Sequence, residues 1–306
     1  VRWGGGRQAV AAQGGNLLWA GDIALVESGV AQLDQSQLER LVNGRQIGMA
    51  FAVDDDAFEL SAETRPEDLA DQLRLLATKL AAPGWQASPI QRARAGRLVS
   101  YDLLRATPMA VVENELQGLL YSGDRRFTPP TRAEVEALTP RNFRAFWEPL
   151  MRQGPVEVQI FGDVASVDLE GMLLNTFGAM PRRPAVRAVA ADVQPTAASA
   201  NPIIVRHNGG ATQAAMVLAY PTGGGVAGMQ TARHLEILAE IFNDRLFERL
   251  RGQAGASYSQ AVSSTWPKDF AHGGYLFVGG LVRPEDSDLM ARSARDIAAE
   301  LARAPV

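Results

Sequence analysis

Arg251 and Tyr258, a guanidinium and a phenol seven residues apart, are the side chains here whose types and spacing suit chemistry. A guanidinium forks onto carbonyls or a carboxylate, and a phenol donates to an oxygen that gains charge. Held together, the two could clamp a peptide. A plainer reading stays open at this point: Arg251 complements a helix dipole, while Tyr258 packs in a sheet.

The elements that would position the pair are legible. Leu235, Leu238, Ala239, Phe242, Leu246 and Leu250 recur at helical spacing, so residues 230–250 read as a helix with one face on a core. Gly252 and Gly255 are expected to break it, since glycine is poor in a helix interior and supplies left-handed turns. Ser257 to Thr265 then carries the β-branched and aromatic residues of a strand. Phe242 and Phe247 read as core residues.

The segment Leu246-Phe247-Glu248-Arg249-Leu250-Arg251-Gly252-Gln253-Ala254-Gly255-Ala256-Ser257-Tyr258 resembles the arginine–tyrosine segment in the C-terminal half of pitrilysin/insulinase-family zinc metallopeptidases, the inverzincins. There too the arginine and tyrosine stand seven apart, after a Leu/Phe-rich helix end and before a strand. The likeness is closest over residues 202–300 and looser before. It departs locally: Gln253 to Ser257 lack the charged residue and Gly-Leu-Ala wording common in the family.

The totals bound the rest. A chain of 306 residues suits two domains better than one. Hydrophobic content of 46% and charged content of 21% are those of an ordinary globular protein. A net charge of −4 with no basic run gives no case for nucleic acid. There is no cysteine, which excludes disulfides and thiolate metal sites and fits an oxidising compartment. No apolar run approaches the roughly 20 residues of a membrane span, and no signal peptide is evident. A Val start and a stop directly after a helix suggest a processed piece, with the periplasm favoured over the cytoplasm.

Along the chain, Leu17–Glu27 reads as a helix buried on most sides and Leu33–Asn43 as a second. Gln46–Val53 and Ala57–Thr64 form a hairpin around Asp54-Asp55-Asp56, a solvated turn that lacks the ligand spacing of a calcium loop. Helices follow over 66–80, 89–105, 108–121 and 140–152, the first opened by Pro66 and two acidic residues. A strand spans Pro155–Phe161 and a helix Val167–Phe177. Residues 181–201, rich in proline and alanine, read as a linker between domains 1–180 and 202–306. The second domain offers strands Ile203–His207, Gln213–Tyr220, 256–265 and 274–282, a Gly223-Gly224-Gly225 loop, and a final helix over 284–303.

The resemblance implies two related α+β domains, each a mixed sheet with helices packed on it, and a second domain with a further helix and strand after residue 306. In the family two halves close around the substrate, and the N-terminal half carries zinc on H-x-x-E-H. Neutral imidazoles, a carboxylate base and an open coordination position are what that chemistry needs. Carried onto this chain, the motif falls on Ala20, Ile23 and Ala24, and no histidine precedes His207. The zinc site is therefore expected to be absent, with Zn²⁺ held by a partner half, fused upstream or separate. His234 shares a stripe with Leu238 and Phe242 and reads as a core histidine; His207 and His272 read as solvated. No phosphate-cradling or G-x-S-x-G motif occurs.

By this resemblance Arg251 binds the substrate main chain and Tyr258 hydrogen-bonds the polarised carbonyl, both serving a site on the other half. The chain alone is expected to be inactive, its partners being the zinc half and a peptide. The rival expectation is a pseudo-peptidase subunit that binds peptides or scaffolds a complex. An unrelated metal enzyme is a third, which zinc retained by the isolated chain would reveal.

Overall fold

The computed structural model describes residues 1–165, 167–186, 192–199, 201–254 and 259–303, with 252–254 by backbone alone. In chain order the first elements are β1 (Arg2–Trp3), α1 (Gly21–Glu27), α2 (Gln35–Leu41), β2 (Ala50–Val53), β3 (Phe58–Ser61), α3 (Leu69–Ala81) and α4 (Ala87–Tyr101). Next come α5 (Pro108–Leu120), α6 (Arg132–Glu136), α7 (Pro140–Arg152), β4 (Val156–Glu157) and α8 (Leu169–Leu174). The chain then holds β5 (Ala214–Gly223), α9 (Met229–Ala254), β6 (Ser259–Thr265), β7 (His272–Val282) and α10 (Ser287–Arg303). This is the expected α+β pattern. The sheets differ from expectation in one respect: every pairing among the described strands is antiparallel, where mixed sheets were anticipated. Hairpin-linked neighbours such as β2 and β3 can pair no other way.

Two compact units result, residues 1–99 with 130–191 and residues 100–129 with 192–306. In the first, the sheet order is β2-β3-β1-β4. Its core is aromatic. Phe51 and Phe58 each meet Trp147 edge-on with ring centroids 5.3 Å apart, and Trp3 lies 5.7 Å from Phe58. α7 supplies Phe143, Trp147, Leu150 and Met151, all buried and spaced as one helical face. Thr139 and Asn142 form a capping box at its start, with Pro140 in the first turn. Burying a ring of this size contributes about 1.5–3 kcal/mol each. Against this cluster α1 lies very close: a Cβ on Gly21 would stand 2.7 Å from Phe51 and 2.8 Å from Trp147. Lys79 of α3 is fully buried nearby, its Nζ donating to Ser28 Oγ at 3.0 Å and Gly29 O at 2.7 Å.

The second unit is a three-stranded sheet, β5-β7-β6, with α9 and α10 covering one face. Met216, Leu276, Val278 and Val282 of the strands meet Phe242, Leu246 and Leu250 of α9 and Met290 and Ile297 of α10. Tyr275, beside Leu276, points to the opposite face. There Tyr121, Phe127, Val193 and Phe270 make a small second core, and Tyr121 donates to Gly273 O at 2.7 Å. That contact is why residues 100–129 join the later part of the chain, a feature absent from the sequence division at 180 and 202. The proline-rich stretch is likewise tied down at both ends. Arg183 donates to Gly154 O at 2.9 Å in the first unit, and Thr196 N donates to Leu120 O at 2.7 Å in the second.

Two expected elements changed and one element was missed. Ile203–His207 forms no strand; Ile203 and Ile204 are exposed, because β-branched residues need a neighbouring strand and none among the described residues pairs with them. The strand over 155–161 shrinks to Val156–Glu157, its partner β1 being two residues long. α6, with its Thr131–Glu134 capping box, was not anticipated.

Candidate functional site

α9 positions Arg251. Ala232, Ala239, Phe242, Leu246 and Leu250 are buried along one stripe, which fixes the helix on the sheet. Arg249 holds it to α10 through a two-pronged contact with Glu300 at 2.8 and 2.9 Å. Arg251 follows one residue after buried Leu250, in the last helical turn, and its side chain is exposed. Gly252 does not break the helix as anticipated; it lies inside α9, which continues to Ala254. A glycine one turn from a helix end costs little there. Tyr258 lies outside the described residues, as does Gly255, so the spatial relation of the pair is carried forward as a proposal. The strand that follows Tyr258 begins at Ser259, and it forms an edge of its sheet.

The positions matching the zinc motif are filled by packing. Ala20 and Ala24 are fully buried in the first unit's core, while Ile23 is 38% exposed. Gly21, between Ala20 and Ala24, lies so close to Phe51 and Trp147 that even a Cβ there would press on both rings. Among the described residues no group of three or more His, Asp or Glu side chains could hold a metal ion.

The histidines fall differently from expectation in one case. His234 is exposed rather than in the core. Each i,i+4 step rotates about 40° around a helix, so two steps from Phe242 carry His234 off the buried stripe. Phe247 is also exposed, at 47%, being one residue round from buried Leu246. His207 braces a loop: Nδ1 accepts from Gly209 N at 3.1 Å and Nε2 lies 2.9 Å from Gln213 O. His272 Nδ1 contacts Asp192 Oδ2 at 2.6 Å. The aspartate turn is a polar turn as read, with Arg2 on Asp56 at 2.6 Å and Arg7 near Asp55 at 3.5 Å. The glycine loop is a plain turn pinned by Trp266, whose Nε1 donates to Gly225 O at 3.0 Å.

The buried charged groups Asp68, Lys79, Asp124 and Arg126 escaped the sequence reading. Lys79 could have been found from its place three residues after Leu76 and four after Leu75, inside the buried stripe of α3. Arg126, buried with Asp124 and stacked 5.0 Å over Phe270, carries no spacing signal that distinguishes it from a surface pair.

Solved structures agree on the fold. The periplasmic protease PqqL from Escherichia coli is 16% identical with a TM-score of 0.74, covering all of this chain and 34% of PqqL. The ferredoxin protease FusC, solved as a mutant in complex with Arabidopsis ferredoxin, is 17% identical with a TM-score of 0.73, covering 98% and 33%. A peptidase M16 inactive domain from Pseudomonas fluorescens is 19% identical with a TM-score of 0.72, covering 98% and 73%. The chain thus spans about a third of the length of PqqL and FusC. No curated protein matches it. The family model described as "Peptidase M16 inactive domain" matches residues 137–306. The chain belongs to the M16 peptidases, the pitrilysin/insulinase-type metallopeptidases, as a zinc-free C-terminal part.

Proposed function

We propose that this chain is the non-zinc half of a zinc-dependent metalloendopeptidase, enclosing peptide substrate together with an H-x-x-E-H half and lending that half Arg251 and Tyr258. The observation that carries the reading is the family match over residues 137–306, which spans both side chains. The exposure of Arg251 at the end of a rigidly packed helix supports it, since a guanidinium free of the core is available to a peptide carbonyl. In this role Arg251 orients the substrate main chain, and the Tyr258 hydroxyl donates to the carbonyl oxygen as it gains charge. Zn²⁺ would be held by the partner half and would supply Lewis-acid polarisation of the carbonyl and an activated water there. Periplasmic placement, as for the periplasmic protease PqqL, is proposed here as well.

The test is a peptidase assay of this chain with and without its zinc-bearing half, repeated with Arg251→Ala and Tyr258→Phe. Activity only with both halves, reduced by either substitution, supports the proposal. Full activity in both variants leaves the chain as a pseudo-peptidase subunit that binds or scaffolds.

A further inference from the structure

Of the eight asparagines, Asn43 and Asn208 alone are followed by glycine. That step has its own chemistry. A glycine N–H has no Cβ beside it to hinder attack, so once deprotonated it can add to the amide carbon of the preceding asparagine side chain. All four residues of the two pairs are exposed, so access to water does not separate them. Their hydrogen bonds do.

Asn43 and Gly44 lie in a turn after α2, closed by one bond from Arg45 N to Val42 O at 3.0 Å. Neither Gly44 N nor the Asn43 side chain has a hydrogen-bond partner among the described residues. Arg65 Nη2 donates to Gly44 O at 3.2 Å, which holds the glycine without occupying its N–H. Gly44 has φ +78°, and nothing stands within 4 Å of where a Cβ would be, so a five-membered ring has room to form. The second pair is held on every side. Asn208 N donates to Arg105 O at 2.7 Å, and Gly209 N donates to His207 Nδ1 at 3.1 Å. A Cβ on Gly209 would stand 2.3 Å from Ala106 O.

We propose that Asn43 is a site of spontaneous deamidation, and that the fold protects Asn208, which begins the same dipeptide. Gly44 N gives its proton to hydroxide and bonds to Asn43 Cγ. The Cγ–Nδ2 bond breaks, and the nitrogen leaves as ammonia after taking a proton from water. A second water opens the succinimide at either carbonyl, leaving aspartate or isoaspartate at position 43. No oxidant or reductant takes part, and the net charge at pH 7 goes from −4 to −5. The new carboxylate stands two residues beyond Leu41, the end of α2, where the negative end of the helix dipole opposes it. The isoaspartate form also adds a methylene to the main chain between α2 and β2.

The experiment ages the full chain in mildly alkaline buffer, with and without urea, and follows the more acidic form by ion exchange. Trypsin then separates the two sites, on peptides 41–45 and 207–233, for mass spectrometry. In the folded chain Asn43 should convert at least about tenfold faster than Asn208, because Gly209 N–H must leave His207 and the Asn208 peptide must turn against its bond to Arg105 O. In urea, where both are open-chain Asn-Gly steps, the two rates should come within about twofold. His207→Ala should speed conversion at Asn208 several-fold and leave Asn43 as it was. Equal rates at the two sites in the folded chain overturn the proposal, as does an Asn208 that converts first. So does a folded-chain ratio that matches the ratio in urea, which would assign the preference to neighbouring sequence alone.

Discussion

Lys79 gives the sharpest stability prediction. It is fully buried, its Nζ meets Ser28 Oγ and Gly29 O, and no carboxylate among the described residues pairs with it. Burial pushes its pKa from 10.5 down to about 7. A depressed folded pKa means that this lysine's contribution to stability is complete above the unfolded value of 10.5 and is lost as pH falls towards about 7. Below that the penalty for the buried charge is constant. Within the window the slope is about 1.4 kcal/mol per pH unit, so raising pH from 7.5 to 9.5 should add at most about 2–3 kcal/mol. The two acceptors and the nearby C-terminus of α1 favour the charged form, which makes this an upper bound. Lys79→Met removes the titration while leaving Gly29 O without its donor. Urea unfolding of both proteins across this range, compared as a difference, cancels every other titrating group. Relative to wild type, Lys79→Met should look about 2–3 kcal/mol better at pH 7.5 than at pH 9.5. A difference that stays constant with pH would refute this, showing that the ammonium is charged throughout.

The remaining expectations concern packing, capping and the proposed site. Gly21→Ala should cost about 1–3 kcal/mol in urea unfolding, because its Cβ would press on Phe51 and Trp147. Tyr121→Phe should lose about 1 kcal/mol by removing the donor to Gly273 O, seen as a lower urea midpoint. Asp68 is held below the usual carboxylate range by its hydrogen bond from Arg45 and by the Gln46 N–H, so Asp68→Asn should flatten the loss of stability as pH falls through the acid range. With the zinc-bearing half present, Tyr258→Phe should lower kcat by roughly ten- to a thousand-fold, read from initial rates.

Most elements were legible because their signals are local. Thr139-Pro140 announced α7, and the spacing of Phe242, Leu246 and Leu250 announced α9 with its buried face. Where the reading failed, the deciding partner lay far along the chain. Ile203 and Ile204 have strand-forming side chains and no strand to join among the described residues. His234 and Phe247 sit on a helix whose buried arc is set by its sheet and α10, and sequence spacing could not place the edge of that arc within one residue. Residues 100–129 belong with the later unit because Tyr121 reaches Gly273, a contact spanning 152 positions. Of the candidate site, the helix that carries Arg251 was readable from its apolar spacing, while Tyr258 lies outside the described residues.

Trp266, pinned over the glycine turn, has an optical consequence. Of the five tryptophans, Trp3, Trp19, Trp85 and Trp147 belong to the first unit, and Trp266 alone belongs to the second. Replacing the other indoles with phenylalanine would leave a single tryptophan, hydrogen-bonded to Gly225 O and excitable at wavelengths beyond tyrosine absorption. Its emission would then report melting of the β5-β7-β6 layer separately from that of the aromatic-rich unit. A chain with two compact units therefore carries its own label for asking whether they melt together or apart.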